Sequence, residues 1–148
     1  MIGVAGELGR LCGPGMSDLQ DLLPRHKSDC DRAKTIISLG YPAVVPVLRE
    51  LLEWLQDGNW PVSHSIGDFL ASIGAPIVPL IREVLEGNDD IWKYWCIDRV
   101  IMRFALVDVE QLRPDLERLA FHPTRHEKEQ EVDERARAAL ERLDSQAA

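Results

Sequence analysis

A chain of 148 residues, 45% hydrophobic and 28% charged, has the size and balance of one globular domain. Its formal charge of −8 opposes non-specific attraction to phosphate backbones and anionic membranes, so nucleic acid is a disfavoured partner. Three cysteines (Cys12, Cys30 and Cys96), odd in number and far apart, exclude a disulfide framework and a cysteine zinc site.

Reduced thiols fit a cytoplasmic protein, and no apolar run reaches the ~18–20 residues of a membrane span. Residues 1–15 carry glycine at five positions and a single basic residue, Arg10. They lack the charged start and long apolar core of a signal peptide. They read as a disordered extension, with Met16 as the natural start. The scattered glycines there follow no strand and are not a nucleotide loop.

Organised patterning begins at residue 17. Residues 17–23 read as a short helix with Ser17 as its N-cap and Pro24 as its stop. Its leucines are expected to cover an open end of the fold. Residues 29–39 form the next helix, with Ala33, Ile36 and Ile37 on its apolar face and Gly40 as the closing glycine. Residues 42–55 carry a wide apolar stripe through Val44, Val45, Val47, Leu48, Leu51, Leu52 and Leu55 at helical spacing. Asp57-Gly58-Asn59 is a turn. Residues 60–73 are a helix opened by Pro61, in which Gly67 marks a close helix–helix approach. Gly74 closes it, residues 76–86 follow as a helix, and Gly87 closes that in turn. Residues 91–106 are apolar on nearly every side, as in a buried helix. Residues 109–121 form its partner. Residues 123–126 read as a loop. Residues 127–143 read as a terminal helix with Val132, Ala136, Ala139, Leu140 and Leu143 inward and charge outward, and residues 145–148 as a frayed end.

An internal repeat organises these elements. Val45-Pro46-Val47-Leu48-Arg49-Glu50-Leu51-Leu52-Glu53 recurs thirty-three residues later as Val78-Pro79-Leu80-Ile81-Arg82-Glu83-Val84-Leu85-Glu86, identical at six of nine positions. A weaker third copy is Arg113-Pro114-Asp115-Leu116-Glu117-Arg118-Leu119. Such a period marks stacked helical hairpins. The expected fold is all-α: a single α-α superhelix over residues 16–144, a short HEAT-like solenoid of about three hairpins with terminal capping helices.

The segment Leu51-Leu52-Glu53-Trp54-Leu55-Gln56-Asp57-Gly58-Asn59-Trp60-Pro61-Val62 resembles the hallmark of a family of small bacterial HEAT-like proteins known as a domain of unknown function. Asn88-Asp89-Asp90-Ile91-Trp92-Lys93-Tyr94-Trp95, the late Pro123-Thr124 with Glu131-Val132-Asp133-Glu134, and the opening Leu22-Leu23-Pro24 carry the same resemblance. It covers residues 17–143. It implies the α-α superhelix and carries no activity, cofactor or catalytic residue.

The candidate binding residues are aromatic and polar. Trp54 and Trp60 flank the first inter-hairpin turn, and Trp92 and Trp95 open the equivalent helix one repeat on. With Asp57, Asn59, Asp89 and Asp90 they form either an interface ridge or inter-repeat packing in which each indole N–H meets a turn carbonyl. His64 and Asp68 share one helical face, as a groove pair or a surface pair. Asp98 and Arg99 sit on an otherwise apolar helix, with Arg82 or Arg49 as the expected partner of Asp98. His122 and His126 have metal spacing but a proline between them and no third ligand, so no metal site and no cofactor is expected.

Together these features favour a non-enzymatic module that binds a protein or peptide, with a basic partner favoured by charge. An immunity-type inhibitor of a toxin is one version. The alternatives are a HEAT-like DNA base-processing enzyme using Trp92, Trp95, Asp98 and Arg99, and a purely structural homodimer.

Overall fold

The computed structural model describes residues 15–147, so the tail expected over residues 1–15 lies, apart from Gly15, outside the described residues. Among the described residues the protein is all-helical, with ten α-helices, three 3-10 segments and no strand.

Helix α1 (Met16–Leu22) starts two residues earlier than a Ser17 N-cap predicts. Gly15 is its N-cap, and Ser17 lies within the first turn. Leu19 is fully buried, and α1 packs on α2 and on the turn before α3, covering one end of the core as expected. Helix α2 (Cys30–Leu39) buries Ala33 and Ile36 and ends at Gly40, whose φ of 71° favours glycine.

The single helix expected over residues 42–55 is instead a 3-10 segment (Val45–Val47) followed by α3 (Leu48–Glu53), and Val45, expected on the apolar stripe, is exposed. The prolines explain the tightening. Pro46 has no N–H to donate, and the neighbouring N–H groups of Val45 and Val47 bond three residues back, to Pro42 and Val44. The second copy behaves alike. After α4 (Pro61–Ile73), Gly74 turns the chain at φ 75°, a 3-10 segment (Ala75–Ile77) follows, and α5 (Val78–Glu86) completes the hairpin. Gly87, expected to close α5 as Gly40 closes α2, keeps a negative φ of −81°.

The third hairpin is more broken than its pattern suggests. Helix α6 (Asp90–Arg99) gives way to a 3-10 segment (Ile101–Arg103), whose turn buries Ile101 and Phe104 completely. Its partner divides into α7 (Leu106–Gln111) and α8 (Arg113–Phe121). Pro114 cannot donate the helical hydrogen bond one turn back, which is where the division falls. The loop expected at residues 123–126 turns helical at Arg125. Thr124 accepts the Glu127 N–H, and the Glu127 carboxylate accepts the Thr124 N–H, a capping box that starts α9 (Arg125–Glu129). Glu131, at φ 62°, bends the chain into α10 (Val132–Ala147). Where residues 145–148 are expected to fray, α10 continues through Ala147, and Ala148 lies outside the described residues.

The packing is sequential. Helix α2 lies on α4, α4 on α6, and α6 on α10, which also packs along α8. The second helices are linked by side chains. Arg49 pairs with Glu83 on α5, and Arg82 pairs with Asp115 on α8 at 3.1 Å. One continuous core runs from Leu19 to Leu143. Val132, Ala136, Ala139, Leu140 and Leu143 all face into it, as their spacing predicts.

Gly67 sets the closest crossing. A Cβ there would lie 3.0 Å from the Cβ of Arg99 and 3.3 Å from its carbonyl oxygen. Gly67→Leu is therefore expected to destabilise the protein by at least about 1–3 kcal/mol through overpacking, read as a lowered urea midpoint. An unchanged midpoint would show that α4 and α6 are not in contact at this point.

Candidate functional site

The turn between the first two hairpins is fixed by short-range bonds. The Asp57 carboxylate accepts the Asn59 N–H at 2.9 Å, and the Asp57 carbonyl accepts the Trp60 N–H at 3.1 Å. The fully buried Ser63 hydroxyl lies 2.8 Å from the Asp57 carbonyl and 3.2 Å from that of Trp54. Asp57 thus shapes the turn, while Asn59 is exposed.

Helix α6 grips this turn from outside. The Trp92 indole N–H donates to the Leu52 carbonyl at 3.0 Å. The Trp95 ring lies flush on Gly58, where a Cβ would come within 2.1 Å of a ring carbon. Arg99 Nη2 donates to the Gly58 carbonyl at 3.0 Å, and its guanidinium carbon sits 5.3 Å from the Trp95 centroid. Trp92, Trp95 and Arg99 are therefore brought together with the turn as an inter-hairpin clamp. Trp54 and Trp60 meet each other, edge to face, with centroids 5.8 Å apart and planes at 68°. Both are half-buried.

The other predicted residues part company. His64 and Asp68 are both exposed on α4, and Asp68 pairs with Arg103 at 3.1 Å rather than with His64. Asp98 pairs with Arg135 on α10 at 3.0 Å, not with Arg82 or Arg49, which are engaged by Asp115 and Glu83. Cys96 is buried, which pushes its thiol pKa up and keeps it protonated.

A buried ion network joins α6 to α8 and α9. The Lys93 ammonium, with only 5% of its side chain exposed, lies 2.7 Å from both Asp90 and Glu127. Glu127 also receives Arg118 at 2.6 Å, and Asp90 faces His126 Nδ1 at 2.6 Å. Burial pushes the Glu127 pKa up. The hydrogen bonds from Arg118, Lys93 and the Thr124 N–H outweigh that and hold it at about 2. Among the described residues no group of three or more His, Cys, Asp or Glu is placed to hold a metal ion.

Among the clefts formed by the described residues, two set a pair of aromatic rings beside two glutamates. One, of about 330 Å³, is lined by Trp54, Trp60, Leu23 and Pro24 with Glu50, Glu53 and Gln56. The other, of about 360 Å³, is lined by Ile91, Tyr94 and Trp95 with Glu129, Gln130 and Glu131.

A family model described as Domain of unknown function (DUF5071) matches residues 22–140. The chain belongs to this family. The DUF5071 match takes in both clefts, the clamp on Gly58 and the whole ion network. No match to a curated protein was found. Among the described residues of this DUF5071 chain no single helix is long and apolar enough to cross a membrane.

Sequence reasoning missed the ion network. Its one legible sign was Thr124 three residues before Glu127, the spacing of a capping box. Removing the central cation leaves two buried carboxylates facing each other. Lys93→Met is expected to cost about 3–5 kcal/mol, measured by urea denaturation. The Glu127 contribution is complete above the ordinary carboxylate value of 4.5 and is lost as pH falls toward 2, because its folded pKa is the lower one. Glu127→Gln is expected to flatten the stability–pH curve between those values. A curve as steep as wild type would remove Glu127 from that role.

Proposed function

We propose that this chain is a cytoplasmic, non-enzymatic interaction module that holds a basic protein or peptide. In this reading the helices form a short HEAT-like superhelix of three hairpins with capping helices. Three features support that arrangement. The repeated prolines fall where the second helices begin, the first helices pack in file, and Arg49 and Arg82 each reach forward to the next hairpin.

The observation that carries the function is the Trp54–Trp60 cleft. An aromatic pair open to solvent, flanked by Glu50 and Glu53 on a chain of charge −8, offers apolar contact area and the field to attract cationic groups. An immunity protein that blocks a basic toxin is one biological setting for such a surface. The DNA base-processing alternative finds less support. Asp98 is engaged by Arg135, and Arg99 by Gly58 and Trp95, so the trio of Trp, Asp and Arg serves internal contacts.

Capture of partners from source-cell lysate with the full chain, at low and at high salt, tests the reading. The expected result is a basic protein whose retention weakens steeply with salt. Retention of an acidic partner, salt-independent retention, or self-association alone would overturn it.

A further inference from the structure

We infer that the Trp54–Trp60 cleft receives one arginine guanidinium from the partner. This deepens the interaction-module reading and rests on it. The molecule supplies its own comparison. Among the described residues it holds two aromatic pairs in edge-to-face contact, Trp54 with Trp60 and Tyr94 with Trp95, the second with centroids 4.9 Å apart. Each pair sits in a cleft of similar volume, about 330 and 360 Å³, that also presents two glutamates.

The two pairs differ in what lies on the rings. At Tyr94–Trp95 the chain provides the cations itself. Arg99 is 5.3 Å from the Trp95 centroid, and Arg135 is 5.9 Å from that of Tyr94. Arg135 is also neutralised by Asp98 at 3.0 Å. The rings of that pair already carry guanidinium groups of the chain itself. Among the described residues no guanidinium lies on the Trp54–Trp60 pair. Arg49 feels the charges of Glu50 and Glu53 but is turned to Glu83. Among the described residues Glu50 receives the neutral amide of Gln20, at 3.3 Å, and no cation.

The missing group is therefore a cation that stacks on an indole face and donates N–H groups to carboxylates. A guanidinium does both. Its plane lies on aromatic rings, and its fork of donors matches a carboxylate. A lysine ammonium is a strongly hydrated point charge and satisfies only the second demand. Leu23 and Pro24 supply apolar wall for the methylene stem.

The test uses the full chain labelled with ¹⁵N and the blocked tripeptides Ala-Arg-Ala, Ala-Lys-Ala and Ala-citrulline-Ala. The arginine peptide is expected to shift the indole N–H signals of Trp54 and Trp60 and to leave that of Trp92, bonded to Leu52, in place. Citrulline keeps the shape and loses the charge, so its affinity is expected to fall about tenfold, with lysine between the two. Glu50→Gln with Glu53→Gln alters two surface side chains outside the core. It is expected to weaken the arginine peptide about tenfold with the circular dichroism unchanged. No shift of Trp54 and Trp60, equal affinity for citrulline, or an unchanged affinity in the double variant overturns the assignment. A basic lysate partner retained equally by wild type and double variant overturns the arginine cleft alone. Absence of any basic partner for wild type overturns the module itself.

Discussion

Arg99 meets two glycines, and the junction of the second and third hairpins depends on that. Its Cβ touches the backbone at Gly67, its guanidinium bonds the Gly58 carbonyl, and it lies against Trp95, which itself rests on Gly58. Both contacts exist because neither glycine has a Cβ. A methyl group at Gly58 would overlap the indole, and one at Gly67 would press on Arg99. Close backbone approach repays the roughly 1 kcal/mol that a glycine costs inside a helix. The same clamp holds the turn from Leu55 to Asn59, and so sets where Trp54 and Trp60 stand.

The C-terminal end is joined by different physics. Helix α10 buries an apolar stripe, but α9 is short and its attachment is polar. Lys93 carries a positive charge into the interior beside Asp90 and Glu127, and Arg118 completes the balance on Glu127. Buried charges are weak sources of net stability but strongly position-dependent. Their value here is registry. They fix α9 against α6, and so place Glu129 and Glu131 beside Tyr94 and Trp95.

These two joints leave the chain with two aromatic clefts of contrasting state. One has its rings covered by the protein's own arginines, which belong to the clamp and to the Asp98 pair. The other lies between the α1–α2 connection and the end of α3.

Hydrophobic period, proline and glycine placement and the repeated nine-residue segment were enough to determine an all-helical chain, its hairpin order and nearly all of its core, because helix burial is written in spacing along the sequence. Gly67 was legible as a close approach for the same reason. Breaks within the helices were not, since Pro46 and Pro114 tighten or split a helix only to the degree that packing around them permits. The aromatic residues could be located but not assigned a role. Whether Trp92 faces a carbonyl or a partner depends on what another hairpin places opposite it, some forty residues away in the chain. The pairing of Asp98 with Arg135 and of Lys93 with Glu127 was likewise decided only by tertiary structure, because charged partners thirty-four or more residues apart carry no local signature.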